Sequence, residues 1–167
     1  MGTWGINPFE NDNAMDWVLE ELETPQGRPV LGRALRPVAD SEPDEYIDAP
    51  SGEIAVAAAA IVAAINGYPG GELPWQAMRH LRRPEEPRDQ LKLLAILAVN
   101  RALAVNSELA DTYAESSPGA DAEWRTSMED LRHRLSAPAR EMQRLPVATR
   151  WRLARAQGVE RLMRLLF

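Results

Sequence analysis

Apolar residues recur along most of the chain at the spacing of one helix face, and long β-branched runs are absent. Ala14, Met15, Val18, Leu19 and Leu22 share a face, preceded by Asn11, Asp12 and Asn13, whose side-chain oxygens suit a helix start. Val30, Leu31, Ala34, Leu35 and Val38 predict a second, short helix interrupted by Pro37. The acidic stretch 40–50 reads as a surface loop, pinned by Tyr46 and Ile47. Ser51 is then the expected N-cap of an Ala-rich helix that stops at Gly67. A short helix from Pro74 would carry Trp75, Met78 and Leu81. Residues 91–105 are apolar nearly all round, which predicts a buried helix with Asn100 hydrogen-bonded inside the core. Asn106 and Ser107 kink or restart it. Trp124, Met128, Leu131 and Leu135 form a clean amphipathic stripe. A short helix around Met142 and Leu145 follows, and then a last one. On that last helix Trp151, Val159, Leu162, Met163 and Leu166 share a face, with Arg150, Arg161 and Arg164 opposite. The expected fold is all-α, an irregular bundle of roughly six or seven helices. Residues 54–65 and 91–105 should be central, with an N-terminal loop packed on the core.

That loop is the densest stretch of unusual residues. Gly5 and Pro8 make residues 4–9 a folded loop. Trp4 and Phe9 should fold back onto the first helix in the manner of a hydrophobic staple. Trp4, Phe9, Asn11, Asp12, Asp16 and Trp17 thus form an expected structural motif. Asp12 and Asp16 lie four apart, near the positive end of the helix dipole.

Glu10, Asp12 and Asp16 allow two readings. One is a capped, solvated helix start, since acidic first turns are common. The other is a divalent-cation site, because hard cations want several carboxylate oxygens. The spacing lacks the alternation and glycine of a calcium loop, so the first reading leads and no cofactor is expected.

The opening Gly2-Thr3-Trp4-Gly5, then Phe9-Glu10-Asn11-Asp12, Ala14 and Asp16-Trp17, resembles a small bacterial protein family catalogued as domain of unknown function 4259. The stretches Ile61-Val62-Ala63-Ala64 and Asn106-Ser107-Glu108-Leu109 are similar to it as well. The resemblance covers roughly residues 1–136. It implies a compact family domain and carries no assigned activity. Residues 137–167 then form an Arg-rich helical extension, docked on the same domain or on a partner.

Length and composition fit one domain: 167 residues, 45% hydrophobic and 26% charged. The chain holds no cysteine, which removes disulfides, a thiol nucleophile and cysteine metal ligands. No secretory signal is expected, and the apolar run 54–65 is shorter than the roughly 20 residues of a membrane span. A cytoplasmic location is expected. The net charge of −6 is unevenly placed. Residues 1–124 carry 9 Lys and Arg against 21 Asp and Glu, whereas residues 125–167 carry 10 against 4. An acidic body argues against nucleic-acid binding.

His80, among Arg79, Arg82 and Arg83, reads as a surface residue. No nucleophile and base stand at readable spacing, and Gly70-Gly71 leads into no phosphate loop. The leading functional expectation is therefore a non-catalytic protein that binds another protein, in the style of an immunity protein or antitoxin. One alternative is a small metal-dependent hydrolase using Glu10, Asp12 and Asp16. The other is a binder of anionic membrane or nucleic acid through Arg150, Arg161 and Arg164. Self-association through the last helix is a further possibility for the partner surface.

Overall fold

The structure, a computed structural model, describes residues 5–22, 29–71, 73–77, 80–81, 88–117 and 119–138. Among them are six α-helices: α1 (Asp12–Trp17), α2 (Val30–Ala39), α3 (Ala49–Ile65), α4 (Arg88–Ala102), α5 (Glu108–Ala114) and α6 (Ala120–Ser136). A π-helical turn (Val18–Leu22) continues α1, and a 3₁₀ turn spans Trp75–Ala77. No strand occurs among the described residues, so the fold is all-α. Trp4 and the last two expected helices, with Arg150, Arg161 and Arg164, lie outside the described residues.

The core is the triangle of α2, α3 and α4, each packed on the other two. From Ala55 to Ile65 every residue of α3 is buried. Its alanines leave room for neighbouring helices to come close on several sides at once. The helix starts earlier than expected: Asp48, not Ser51, is the N-cap, and its carboxylate accepts from Ser51 N at 2.8 Å. Pro50 fits the first turn, where no N–H is needed. The helix ends as expected at Gly67, at φ 90°. Gly67 N donates to Ala64 O and Tyr68 N to Ala63 O, the paired bonds of a Schellman stop.

Helix α2 accommodates Pro37 because that residue sits on the solvent side, while Val30, Leu31, Ala34, Leu35 and Val38 are all buried. Helix α6 buries Trp124, Met128, Leu131 and Leu135. Each contributes about 1.5–3 kcal/mol. On its exposed side Arg125 pairs with Asp121, Arg132 with Glu129 and Arg134 with Asp130. Among the described residues no helix is long and apolar enough to cross a membrane.

Three local expectations are corrected. Helix α4 is not buried all round: Leu93 is 59% and Leu97 40% exposed, and Asn100 faces solvent. Three packed helices cover only part of its circumference. Leu19, expected on the buried face of α1, is exposed: the inward face runs through Ala14, Trp17, Val18 and Leu22, and Leu19 lies at its edge. His80 is buried, with Nε2 3.4 Å from Leu22 O. Its arginine neighbours suggested surface, yet the ring is turned inward against the Leu22 carbonyl.

The loop before α3 is held by main-chain bonds. Ile47 N donates to Asn106 O and Glu108 N to Ile47 O, a two-residue bridge between Ile47 and Ser107. Arg101 donates to Ser41 Oγ at 2.9 Å, to Asn106 Oδ1 at 3.1 Å, and to the carbonyls of Glu42 and Glu45. The chain thus ends α4 at Ala102 and restarts as α5 beyond Ser107.

Candidate functional site

The N-terminal motif is built from the cap outward. Asn11 is buried; its Oδ1 accepts from Ala14 N at 2.7 Å and its Nδ2 donates to Pro8 O at 3.2 Å. One amide thereby closes the helix start and the preceding turn. Phe9 is half-buried and packs against the core. Glu10 Oε2 accepts from Asn7 N at 3.1 Å and lies where a side chain at residue 5 would stand, so Gly5 is required for this fold of the loop. Asp12 is half-buried at the first turn, and Asp16 is exposed. Among the described residues no group of three or more His, Asp or Glu side chains could hold a metal ion.

A polar cluster behind the motif was not read from the sequence. Asn13 Nδ2 donates to Glu53 Oε2 at 2.6 Å, joining α1 to a buried carboxylate on α3. Tyr113 on α5 donates its hydroxyl to Gly5 O at 2.8 Å. Burial, together with the charges of Glu53 and Glu10, pushes that hydroxyl up to about 12. The only available sequence signal was Glu53 itself, a carboxylate beside an otherwise apolar helix. Its partners are forty and more residues away in sequence.

Trp17, at the end of α1, is buried on one side and lines a cleft on the other. Ala34 and Pro37 of α2 and Ser51 and Ile54 of α3 complete its walls. The cleft holds about 250 Å³ and opens to solvent. Glu21 of the π turn and Arg33 of α2 also line it and form an ion pair at 2.6 Å. Both are about half-exposed, so the pair contributes little stability, at most about 1 kcal/mol. Ser51 Oγ donates to Asp48 Oδ2 at 3.1 Å, and among the described residues no histidine lines the cleft.

A second recess, among Phe9, Gly70, Gly71, Leu73 and Arg134, holds about 20 Å³. That is room for about one water. Among the described residues, the roomier cleft beside Trp17 is taken as the candidate site. It brings together one residue of the expected motif, Trp17, with α2 and α3 residues that the sequence did not single out.

The arrangement offers an apolar floor with a charge pair beside it. Small-molecule sites usually span about 300–1,000 Å³, so this one suits a single side chain better than a cofactor. No curated protein and no solved structure matches the chain. The model of the family described as a domain of unknown function (DUF4259) matches residues 2–127, most of the chain, and the protein belongs to that family.

Proposed function

We propose that the protein is a non-catalytic, cytoplasmic binder of another protein, and that the cleft beside Trp17 receives one large apolar side chain of the partner. The observation that carries this reading is the cleft's size and lining. A partly open, mainly apolar socket of about 250 Å³ fits the kind of anchor residue that dominates many protein interfaces. The paired charges of Glu21 and Arg33 give polar groups for a rim. The acidic body favours a basic partner, which is the balance expected of an immunity- or antitoxin-like protein.

The test is co-purification from the native host with the unaltered chain and with Ile54→Arg and Pro37→Arg. Both residues line the cleft without being fully buried. The expected result is a stoichiometric partner that both variants lose while their melting temperatures stay near that of the parent. A partner retained equally by all three chains would overturn the assignment of the cleft.

A further inference from the structure

Helix α4 presents an outward apolar strip. Leu93 and Leu97, one turn apart, are 59% and 40% exposed, and Ile96 between them is half-buried. The strip is separate from the cleft beside Trp17. The end of the described chain lies beside it. Lys92, next to Leu93, donates its ammonium to Ala137 O at 2.8 Å, and Tyr68 donates its hydroxyl to Pro138 O at 3.0 Å. The chain therefore leaves α6 beside the first turns of α4, with residues 139–167 still to place.

Those residues carry seven arginines against two glutamates, and their apolar residues Val159, Leu162, Met163 and Leu166 recur at helical spacing. At the far end of α4, Arg101 holds the loop in which Asp40, Glu42, Asp44, Glu45 and Asp48 are all exposed. The strip thus runs from the exit of the chain toward an acidic loop. From Leu93 to Arg101 is about 12 Å at 1.5 Å per residue, well within the reach of the remaining chain.

We propose that residues 139–167 pack over Leu93, Ile96 and Leu97 of their own chain, with their arginines directed to the acidic loop at 40–48. The segment thereby acts as an intramolecular cover for α4. Burying the strip removes exposed apolar surface from water, and the opposite charges set the direction in which the segment lies. This assignment does not depend on the cleft or on the protein-binding reading.

Limited trypsin digestion of the full chain tests it, with cleavage at Arg150, Arg152, Arg155, Arg161 and Arg164 followed by mass spectrometry. Three full-length variants are compared with the parent: Leu93→Glu with Leu97→Glu, Leu162→Glu with Leu166→Glu, and Asp44→Arg with Glu45→Arg. All the body substitutions fall on exposed residues, so the body should stay folded, and its melting transition checks this. Both leucine variants should be cut roughly tenfold faster than the parent, since cleavage follows the population of the open form. Combining them should add little, because each removes the same contact. The charge reversal should accelerate cleavage by a smaller factor. Equal rates in the parent and in the Leu93/Leu97 variant would overturn the proposal. So would protection that fades on dilution of a dimeric chain, which would make a second copy the occupant. Protection that appears only with phosphatidylserine vesicles would overturn it in favour of a lipid surface.

Discussion

Tyr113 stacks face to face on Trp124, with ring centroids 4.7 Å apart and planes within 8°. The same Tyr113 hydroxyl reaches back to Gly5 O. One side chain thereby joins α5, α6 and the N-terminal loop. Replacing Tyr113 by Phe keeps the stack and removes the hydrogen bond, so urea denaturation should show a loss of about 0.5–1.5 kcal/mol. Trp124→Ala should cost far more, about 3–5 kcal/mol.

The same residue should govern stability at high pH. The folded-state hydroxyl titrates near 12, above its ordinary value of 10.0. Above pH 10 the unfolded chain loses this proton while the folded chain keeps it. Stability from this group is complete below pH 10 and falls as pH rises toward 12. The slope of denaturation free energy over pH 10–12 should be shallower in Tyr113→Phe. An unchanged slope would remove Tyr113 as its source.

Asn11→Ala should destabilise the protein by about 1–2 kcal/mol, the upper part of the range for an N-cap. Asn11 is buried and also holds Pro8 O, so both bonds go at once. Asn11→Asp keeps the acceptor but not the donor. It should fall between the parent and Asn11→Ala in a thermal melt.

Arg101→Lys should behave as a disruptive change. Three guanidinium nitrogens serve four oxygens spread over Ser41, Glu42, Glu45 and Asn106, and an ammonium cannot reach them together. Amide exchange in residues 41–46 should accelerate in the variant, while α3 keeps its protection. Unchanged exchange there would mean that the main-chain bridge at Ile47 suffices to hold the loop.

Millimolar Mg²⁺, Mn²⁺ or Ca²⁺ should leave the melting temperature unchanged. Glu10 is engaged by Asn7 N and Asp16 points to solvent. A site with a dissociation constant a hundredfold below the ion concentration would add about 2.7 kcal/mol. Such a shift, abolished by Asp12→Ala with Asp16→Ala, would restore the hydrolase reading.

Legibility in the sequence followed how local the cause was. The stripe on α6, the buried face of α2, the Asn11 start and the Gly67 stop all depend on neighbours within one or two turns, and each was readable. Leu19 and Leu93 were not, for different reasons. Leu19 lies at the edge of an inward face that runs through Ala14, Trp17 and Val18, and spacing alone did not show where that face ends. Leu93 lies on a helix whose apolar residues outnumber the neighbours able to cover them, and a single chain's periodicity does not count neighbours. The cleft was legible only through Trp17. Its other walls come from α2 and α3, whose approach is a product of packing. The bond from Asn13 to Glu53 was invisible for the same reason.

The bridge between Ile47 and Ser107 has a topological result. It closes a ring of about sixty residues, with α3 and α4 strung on it. Like a buckled strap, it clasps the start of α3 to the end of α4, so the two cannot part at that end without undoing those two main-chain bonds. Native exchange of the Ile47 and Glu108 amides should therefore report the cooperative opening of the entire α3 and α4 pair, and not the fraying of a surface loop.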